Sequence, residues 1–168
     1  AIIADETANP ASVAADMLSQ AEHGKDSQSI VFTTSQALAD ALVTEVEKQV
    51  AMAPRKDFIQ CSLEHSKIFI LDSMDDVITM SNEYAPEHLI IMCKDYATVA
   101  EQITNAGSVF MGYYTPESAG DYASGTNHTL PTSGYAKAYS GVNLDSYLKK
   151  ITFQEITHDG LQKLGDTI

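Results

Sequence analysis

The chain has 168 residues, with ten Lys and Arg against 23 Asp and Glu, so its formal net charge is −13. Nucleic acids and anionic membrane surfaces bind proteins largely through Lys and Arg, which disfavours both as partners. A hydrophobic fraction of 44% without a membrane-length apolar run or a signal-peptide pattern is typical of a globular cytoplasmic protein. Its two cysteines, Cys61 and Cys93, have no short spacing and fit a reducing compartment.

Short apolar segments alternate with amphipathic ones along the first 112 residues. The predicted helices cover 10–22, the long stretch from Ser35 to Val50, 57–64, 74–84 and 96–105. The predicted strands cover the first residues of the chain, 29–34, 67–71, 88–93 and 108–111. This alternation predicts an α/β fold of the Rossmann-like three-layer αβα type, with a mainly parallel sheet. Because the chain begins without methionine, in what reads as the end of a strand, we expect a piece of a longer protein.

The chain reads as a single domain with three parts. Residues 1–112 form the predicted α/β sheet domain. Residues 113–142 lose all periodicity and are rich in Gly and Pro, as in a long loop with a function. Residues 143–168 are predicted as a helix–strand–helix segment, with a helix near 143–149, a strand near 151–155 and a helix from about 157.

Gln20 and His23 belong to the first polar cluster, LSQAEHG at 18–24. They are three residues apart at the end of a predicted helix and therefore project from one face. A neutral imidazole can ligate a metal ion, whereas glutamine is a rare zinc ligand. Local evidence alone favours an exposed, helix-terminal histidine that interacts with the helix dipole.

Glu87 and His88 lie in the second cluster, YAPEHL at 84–89, where Pro86 marks a junction between a helix and a strand. A carboxylate and an imidazole can serve as a general base and an acid–base partner. Adjacent strand residues point to opposite faces, so the pair shares a site only if the strand begins irregularly. The alternative is a polar strand start without chemistry.

The third cluster is PESAGDYASGTNHTLPT at 116–132. Its small residues permit close backbone approach to a ligand, and Asp121 can be an oxygen ligand for a metal ion. The alternative is a surface Ω-loop held by its own hydrogen bonds. Loop length and the density of polar groups favour a functional loop.

In order and spacing, these clusters resemble the histidinol dehydrogenase family. The matching stretches are LSQAEHG at 18–24, YAPEHL at 84–89 and AGSVFMGYYTPESAGDYASGTNHTLPT at 106–132, and the resemblance covers essentially the whole chain. It implies NAD-dependent, four-electron oxidation of L-histidinol to L-histidine through a bound aldehyde, the last steps of histidine biosynthesis.

The resemblance also implies roles for individual residues. Zinc ligands would be Gln20, His23 and Asp121, with a fourth ligand donated by the partner subunit of a homodimer. Glu87 and His88 would be the catalytic acid–base pair. The zinc would orient the substrate, which would contact Gln20, His23, His88, Asp121 and His128.

No Gly-x-Gly-x-x-Gly fingerprint occurs in the chain. The family's NAD contacts come largely from segments upstream, so no cofactor-binding residue is assigned. We therefore expect a sheet that is incomplete relative to the full-length enzyme, and a 168-residue chain that is inactive and binds zinc weakly or not at all.

Two other interpretations remain open. In a zinc hydrolase, Gln20, His23 and Asp121 would hold the metal ion while Glu87 activates water. In a non-catalytic remnant, the fold would persist without the chemistry.

Overall fold

The computed structural model describes residues 1–167, and within them the strands form one parallel sheet. The strands are β1 (Ile2–Ala4), β2 (Ile30–Thr33), β3 (Lys67–Ile70), β4 (His88–Met92) and β5 (Ser108–Met111). Their order is β3-β2-β1-β4-β5, and each neighbouring pair is parallel. The predicted α/β fold with a mainly parallel sheet is confirmed.

The helices of the described structure are α1 (Pro10–Ala21), α2 (Gln36–Met52), α3 (Lys56–His65), α4 (Met74–Tyr84), α5 (Tyr96–Ala100), α6 (Glu117–Tyr122) and α7 (His158–Leu164). Helices α1, α2, α4 and α7 begin at capping side chains. Asn9 accepts a hydrogen bond from the Ala11 N–H, and Ser35 accepts one from the Leu38 N–H, which satisfies free donors at the starts of α1 and α2. In residues 1–167 no helix has both the length and the apolar composition needed to cross a membrane.

Both faces of the sheet are buried, which explains why its central strands are almost continuously apolar. Side chains alternate along each strand, so Ile2 and Ala4 contribute to one core and Ile3 to the other. The first core joins the sheet to α1 and α2 through Val13, Ala14, Met17, Leu38 and Leu42. The second joins it to α4 and α5 through Val77, Ile78 and Val99. The three-layer arrangement follows from this alternation.

The strand order reverses between β1 and β4, and the carboxyl ends of such a pair usually frame a ligand crevice. Here Asp5, which follows β1 directly, occupies that position. Its carboxylate accepts hydrogen bonds from the Thr7 N–H at 2.9 Å and from the Lys94 N–H at 2.8 Å. Asp5 therefore ties the ends of β1 and β4 together at the edge where doubly wound proteins commonly bind nucleotides.

The C-terminal part of the chain departs from its prediction. The strand predicted at 151–155 is wrong, because these residues are extended and exposed, with no strand paired beside them in the described structure. Apolar residues form a strand only where a neighbour supplies the ladder hydrogen bonds. The helix predicted near 143–149 is only a short 3-10 turn, Leu144–Tyr147, and the helix predicted over 96–105 ends at Ala100.

Candidate metal and substrate site

One cavity of about 370 Å³ lies at the amino ends of β1 and β4. The cavity contains every residue that the sequence singled out, although they come from three separate segments. Its walls are formed by Gln20, His23, Ser27, Gln28, Glu87, His88, Asp121 and His128. Helix α1 runs back from the carboxyl edge of the sheet and so brings Gln20 and His23 to this amino edge.

His23 lies just beyond the end of α1, with its imidazole orientation set by the backbone. Its Nδ1–H donates a hydrogen bond to the Ser19 carbonyl oxygen at 2.9 Å. The donor at Nδ1 leaves the Nε2 lone pair free, and metal-binding histidines are commonly oriented by such a bond on the second ring nitrogen. His23 is therefore prepared as a metal ligand through Nε2.

Glu87 and His88 share the cavity because the start of β4 is irregular. Ala85, the residue after α4, has a left-handed φ of 51°, and Glu87 forms a bend before the strand begins at His88. Gly107 makes this bend possible, since a Cβ there would lie 2.5 Å from the Glu87 carbonyl oxygen. The alternation that separates adjacent strand residues begins only after this pair.

The surroundings of His88 favour the neutral form of its imidazole. Burial lowers the pKa of His88 below its ordinary value, while the carboxylates of Glu87 and Asp121 act in the opposite direction. The ring of Phe110 packs beside the imidazole with a centroid separation of 5.9 Å. A neutral imidazole held in this way can accept a proton.

Glu117 is a site residue that the sequence interpretation missed. It is the first residue of α6, four positions before Asp121, so the two carboxylates lie on one face of the helix. Burial, and then the nearby Asp121 carboxylate, raise the pKa of Glu117. The four-residue spacing was visible in the sequence, but a first-turn glutamate is usually exposed, whereas only 2% of Glu117 is accessible.

The donor set fits a zinc ion. One ligand atom from each of His23, Glu117 and Asp121 lies within 4.8 Å of the others. The Gln20 amide nitrogen is buried without a hydrogen-bond partner in the described residues, as is one carboxylate oxygen of Glu117. A half-turn of the amide would place its oxygen, which is a ligand atom, in the same position. Imidazole nitrogen with carboxylate oxygen is a ligand combination that zinc accepts.

A second cavity of about 600 Å³ adjoins the first and shares with it Gln20, Gln28, Glu87 and His88. Carboxylates contribute to the lining of the two cavities, and within residues 1–167 neither lysine nor arginine lines them, although Lys137 Nζ lies 2.9 Å from the Glu83 carboxylate. The lining carboxylates are Asp26, Glu83, Glu87 and Asp121. Such a lining gives a negative potential that attracts cations.

The chain combines a Rossmann-like α/β sheet with a cavity that is lined by histidines and carboxylates. These two features place it among α/β enzyme domains with a candidate metal site. The family model described as histidinol dehydrogenase matches residues 1–168. The chain is 59% identical over 167 residues to the histidinol dehydrogenase of Bacteroides fragilis (strain YCH46), and 49% identical to that of Haemophilus influenzae (strain 86-028NP). The chain belongs to the histidinol dehydrogenase family.

A solved structure agrees with this assignment. The crystal structure of histidinol dehydrogenase from Elizabethkingia anophelis superposes with a TM-score of 0.93 at 54% sequence identity. The match covers 99% of this chain and 39% of that one. The chain likewise spans 39% of the length of the two curated relatives.

Proposed function

We propose that the protein containing this chain catalyses the NAD-dependent oxidation of L-histidinol to L-histidine through L-histidinaldehyde. The observation that supports it is the convergence of Gln20, His23, Glu87, His88, Asp121 and His128 on one cavity, in a chain that belongs to the histidinol dehydrogenase family. Histidinol is a cationic amino alcohol, and the acidic lining of the cavity suits a cation.

His88 and Glu87 divide the proton chemistry between them. Oxidation of the alcohol requires a base for the hydroxyl proton as the hydride leaves, and a neutral His88 is suited to accept it. The intermediate aldehyde must be hydrated before the second oxidation. Glu87 lines the same cavity and acts as the base that activates this water.

Gln20, His23 and Asp121 hold zinc in this proposal, and His128 contributes to the substrate pocket. Zinc, when bound, supplies a template that orients the imidazole and amine of the substrate toward the cofactor. NAD supplies the hydride acceptor for both oxidations. The cavity residues fix the substrate relative to His88, so the reacting carbon is presented in one orientation.

Further parts of the proposal concern the whole protein. We place it in the cytoplasm, where reducing conditions suit the free thiols of Cys61 and Cys93. It acts as a homodimer whose partner subunit donates a further zinc ligand. Residues 1–112 form the α/β sheet domain, which carries Gln20, His23, Glu87 and His88, and residues 113–142 form the functional loop, which carries Asp121 and His128.

The experiment is a measurement of histidinol-dependent NADH formation by the full-length protein. The Glu87→Gln and His88→Asn variants should each lower kcat by about 100-fold or more, the usual contribution of a positioned acid or base. The exposed residues Glu101 and His158 supply matched controls, because Glu101→Gln and His158→Asn remove the same groups at positions that line neither cavity.

Two results would contradict the proposal. One is a zinc-loaded protein that forms no NADH from histidinol at any NAD concentration. The other is hydrolysis of an amide or ester substrate without NAD, lost on Glu87→Gln, which identifies a zinc hydrolase instead.

A further inference from the structure

Glu117 lies beneath the cavity rather than on its surface. Only 3% of its side chain is accessible, and its Oε1 has no hydrogen-bond partner among residues 1–167. Buried carboxylates are ordinarily paired, because an unpaired buried charge loses its hydration without compensation. The unpaired oxygen of this buried carboxylate is therefore available to accept a hydrogen bond from a neighbouring group in the active protein.

The imidazole of His88 is one of the groups close to the Glu117 carboxylate, together with His23 and Asp121. The distance from Glu117 Oε1 to His88 Nε2 is 3.7 Å, slightly longer than a hydrogen bond. Active-site hydrogen bonds are often long in unliganded proteins and shorten when the substrate binds. Phe110 packs beside the His88 ring and so limits its movement.

Gly120 allows helix α6 to lie close enough to the sheet for Glu117 to approach His88. A Cβ at Gly120 would lie 2.7 Å from two ring carbons of Phe110, so only glycine lets the helix pack directly on that ring. Phe110 therefore contacts both the helix that carries Glu117 and the ring of His88. One residue, Phe110, therefore limits the movement of both Glu117 and His88.

We propose that Glu117 is a positioning residue for His88, accepting a hydrogen bond from Nε2–H. This bond holds the neutral imidazole in the tautomer whose Nδ1 lone pair accepts the substrate's hydroxyl proton. The role rests on the proposed function, because it assigns a task within that oxidation. Glu117 does not touch the substrate and acts through His88, whereas Asp121, one helical turn later, lines the cavity itself.

A double-mutant cycle in the full-length zinc protein tests this inference. Glu117→Gln should lower kcat about tenfold or more, with KM and zinc content unchanged. In a His88→Asn background the same substitution should change kcat less than about twofold, because the residue it orients is gone. Equal losses of kcat in both backgrounds would overturn the proposal. Loss of zinc from the Glu117→Gln variant would also overturn it, because it would show that Glu117 is a metal ligand.

Asp16→Asn is the matched control, since Asp16 is another buried carboxylate, 9% accessible, near enough for the Glu117 charge to affect its pKa. It should leave kcat unchanged. Nitrogen-15 spectra of histidine-labelled protein provide a readout independent of turnover. Wild-type His88, assigned by comparison with His88→Asn, should carry its proton on Nε2, and Glu117→Gln should give mixed tautomers.

The outcomes separate the two proposals. Absence of NADH formation by the wild type would end the proposed function, while the tautomer spectra would still decide the positioning role. NADH formation together with a proton on Nδ1 of His88, or with an additive cycle, would end the positioning role alone.

Discussion

Single side chains at this site are prepared for chemistry by contacts that are local in space. His23 presents Nε2 because Nδ1 is bonded to the Ser19 carbonyl oxygen, and burial is the main cause that lowers the pKa of His88. The same burial acts on acidic groups and raises the pKa of Glu117. Because burial disfavours the ionised form of these carboxyl groups, their ionisation at neutral pH reduces the stability of the folded protein.

Asp16 on α1 provides a test of that cost. Burial, and then the Glu117 carboxylate, raise the pKa of Asp16 from 3.8 to about 6. The folded protein therefore binds this proton more tightly than the unfolded chain does, so stability falls as the pH rises from about 4 to 6 and stays lower above that range. Asp16→Asn should increase the free energy of unfolding at pH 7 by on the order of 1 kcal/mol.

The measurement is urea denaturation of wild type and variant at pH 7 and pH 4. The gain from Asp16→Asn should disappear at pH 4, where the wild-type carboxyl is protonated in the folded state. Asp40→Asn, at an exposed position of α2, should change stability by less than about 0.5 kcal/mol at either pH. An equal gain at both pH values would show that the ionisation of Asp16 is not its cause.

At the scale of elements, the site depends on how closely short segments approach one another. Gly107 lets the bend at Glu87 close against the start of β5, and Gly120 lets α6 lie on Phe110. Helix α6 has only six residues, so packing rather than helix propensity holds it in place. Its position determines where both Glu117 and Asp121 lie.

Gly120→Ala should therefore move α6 away from the sheet. The added methyl group would clash with the Phe110 ring, at a cost of about 1–3 kcal/mol for overpacking. We expect at least about a tenfold loss in kcat/KM and weaker zinc binding, because displacement by about 1 Å disturbs a catalytic geometry strongly. Steady-state kinetics and zinc titration of the full-length protein measure both effects.

Ser118→Ala provides the comparison, since Ser118 is exposed on the same helix. That variant should retain wild-type kinetics and zinc affinity. If Gly120→Ala also did so, the close contact with Phe110 would not control the site.

For the whole molecule, the notable feature is that the site lies at the amino ends of the strands. Doubly wound sheets usually bind ligands at the carboxyl ends, but here Asp5 bridges β1 and β4 at that edge. The absence of a Gly-x-Gly-x-x-Gly motif after β1 agrees with this difference. The chain contributes the candidate metal and acid–base site, and we propose that the cofactor contacts lie elsewhere in the full-length protein.

The isolated 168-residue chain should therefore show no histidinol-dependent NADH formation and bind zinc weakly or not at all. It spans 39% of its curated relatives, and the proposed fourth ligand and NAD contacts come from other segments. A coupled absorbance assay with zinc-titrated chain, alongside the full-length protein, measures both properties. Turnover by the isolated chain would show that these residues suffice.

The sequence by itself determined the local elements and singled out six of the residues that line the cavity. Periodicity, caps and turn residues act within a few positions, so the five strands and the helices up to Tyr84 could be predicted closely. The motifs around Gln20, Glu87 and Asp121 named the cavity residues because each motif is contiguous in the chain. Their roles stay predictions.

Only the tertiary structure decided which groups are buried and which strands find partners. Residues 151–155 have a strand-like composition but remain extended, because pairing needs a neighbour that the described residues do not provide. The importance of Glu117 was not predicted, because its burial arises where α6, α1 and Phe110 meet from distant parts of the chain. Local propensity acts over a few residues, whereas desolvation depends on everything packed around a group.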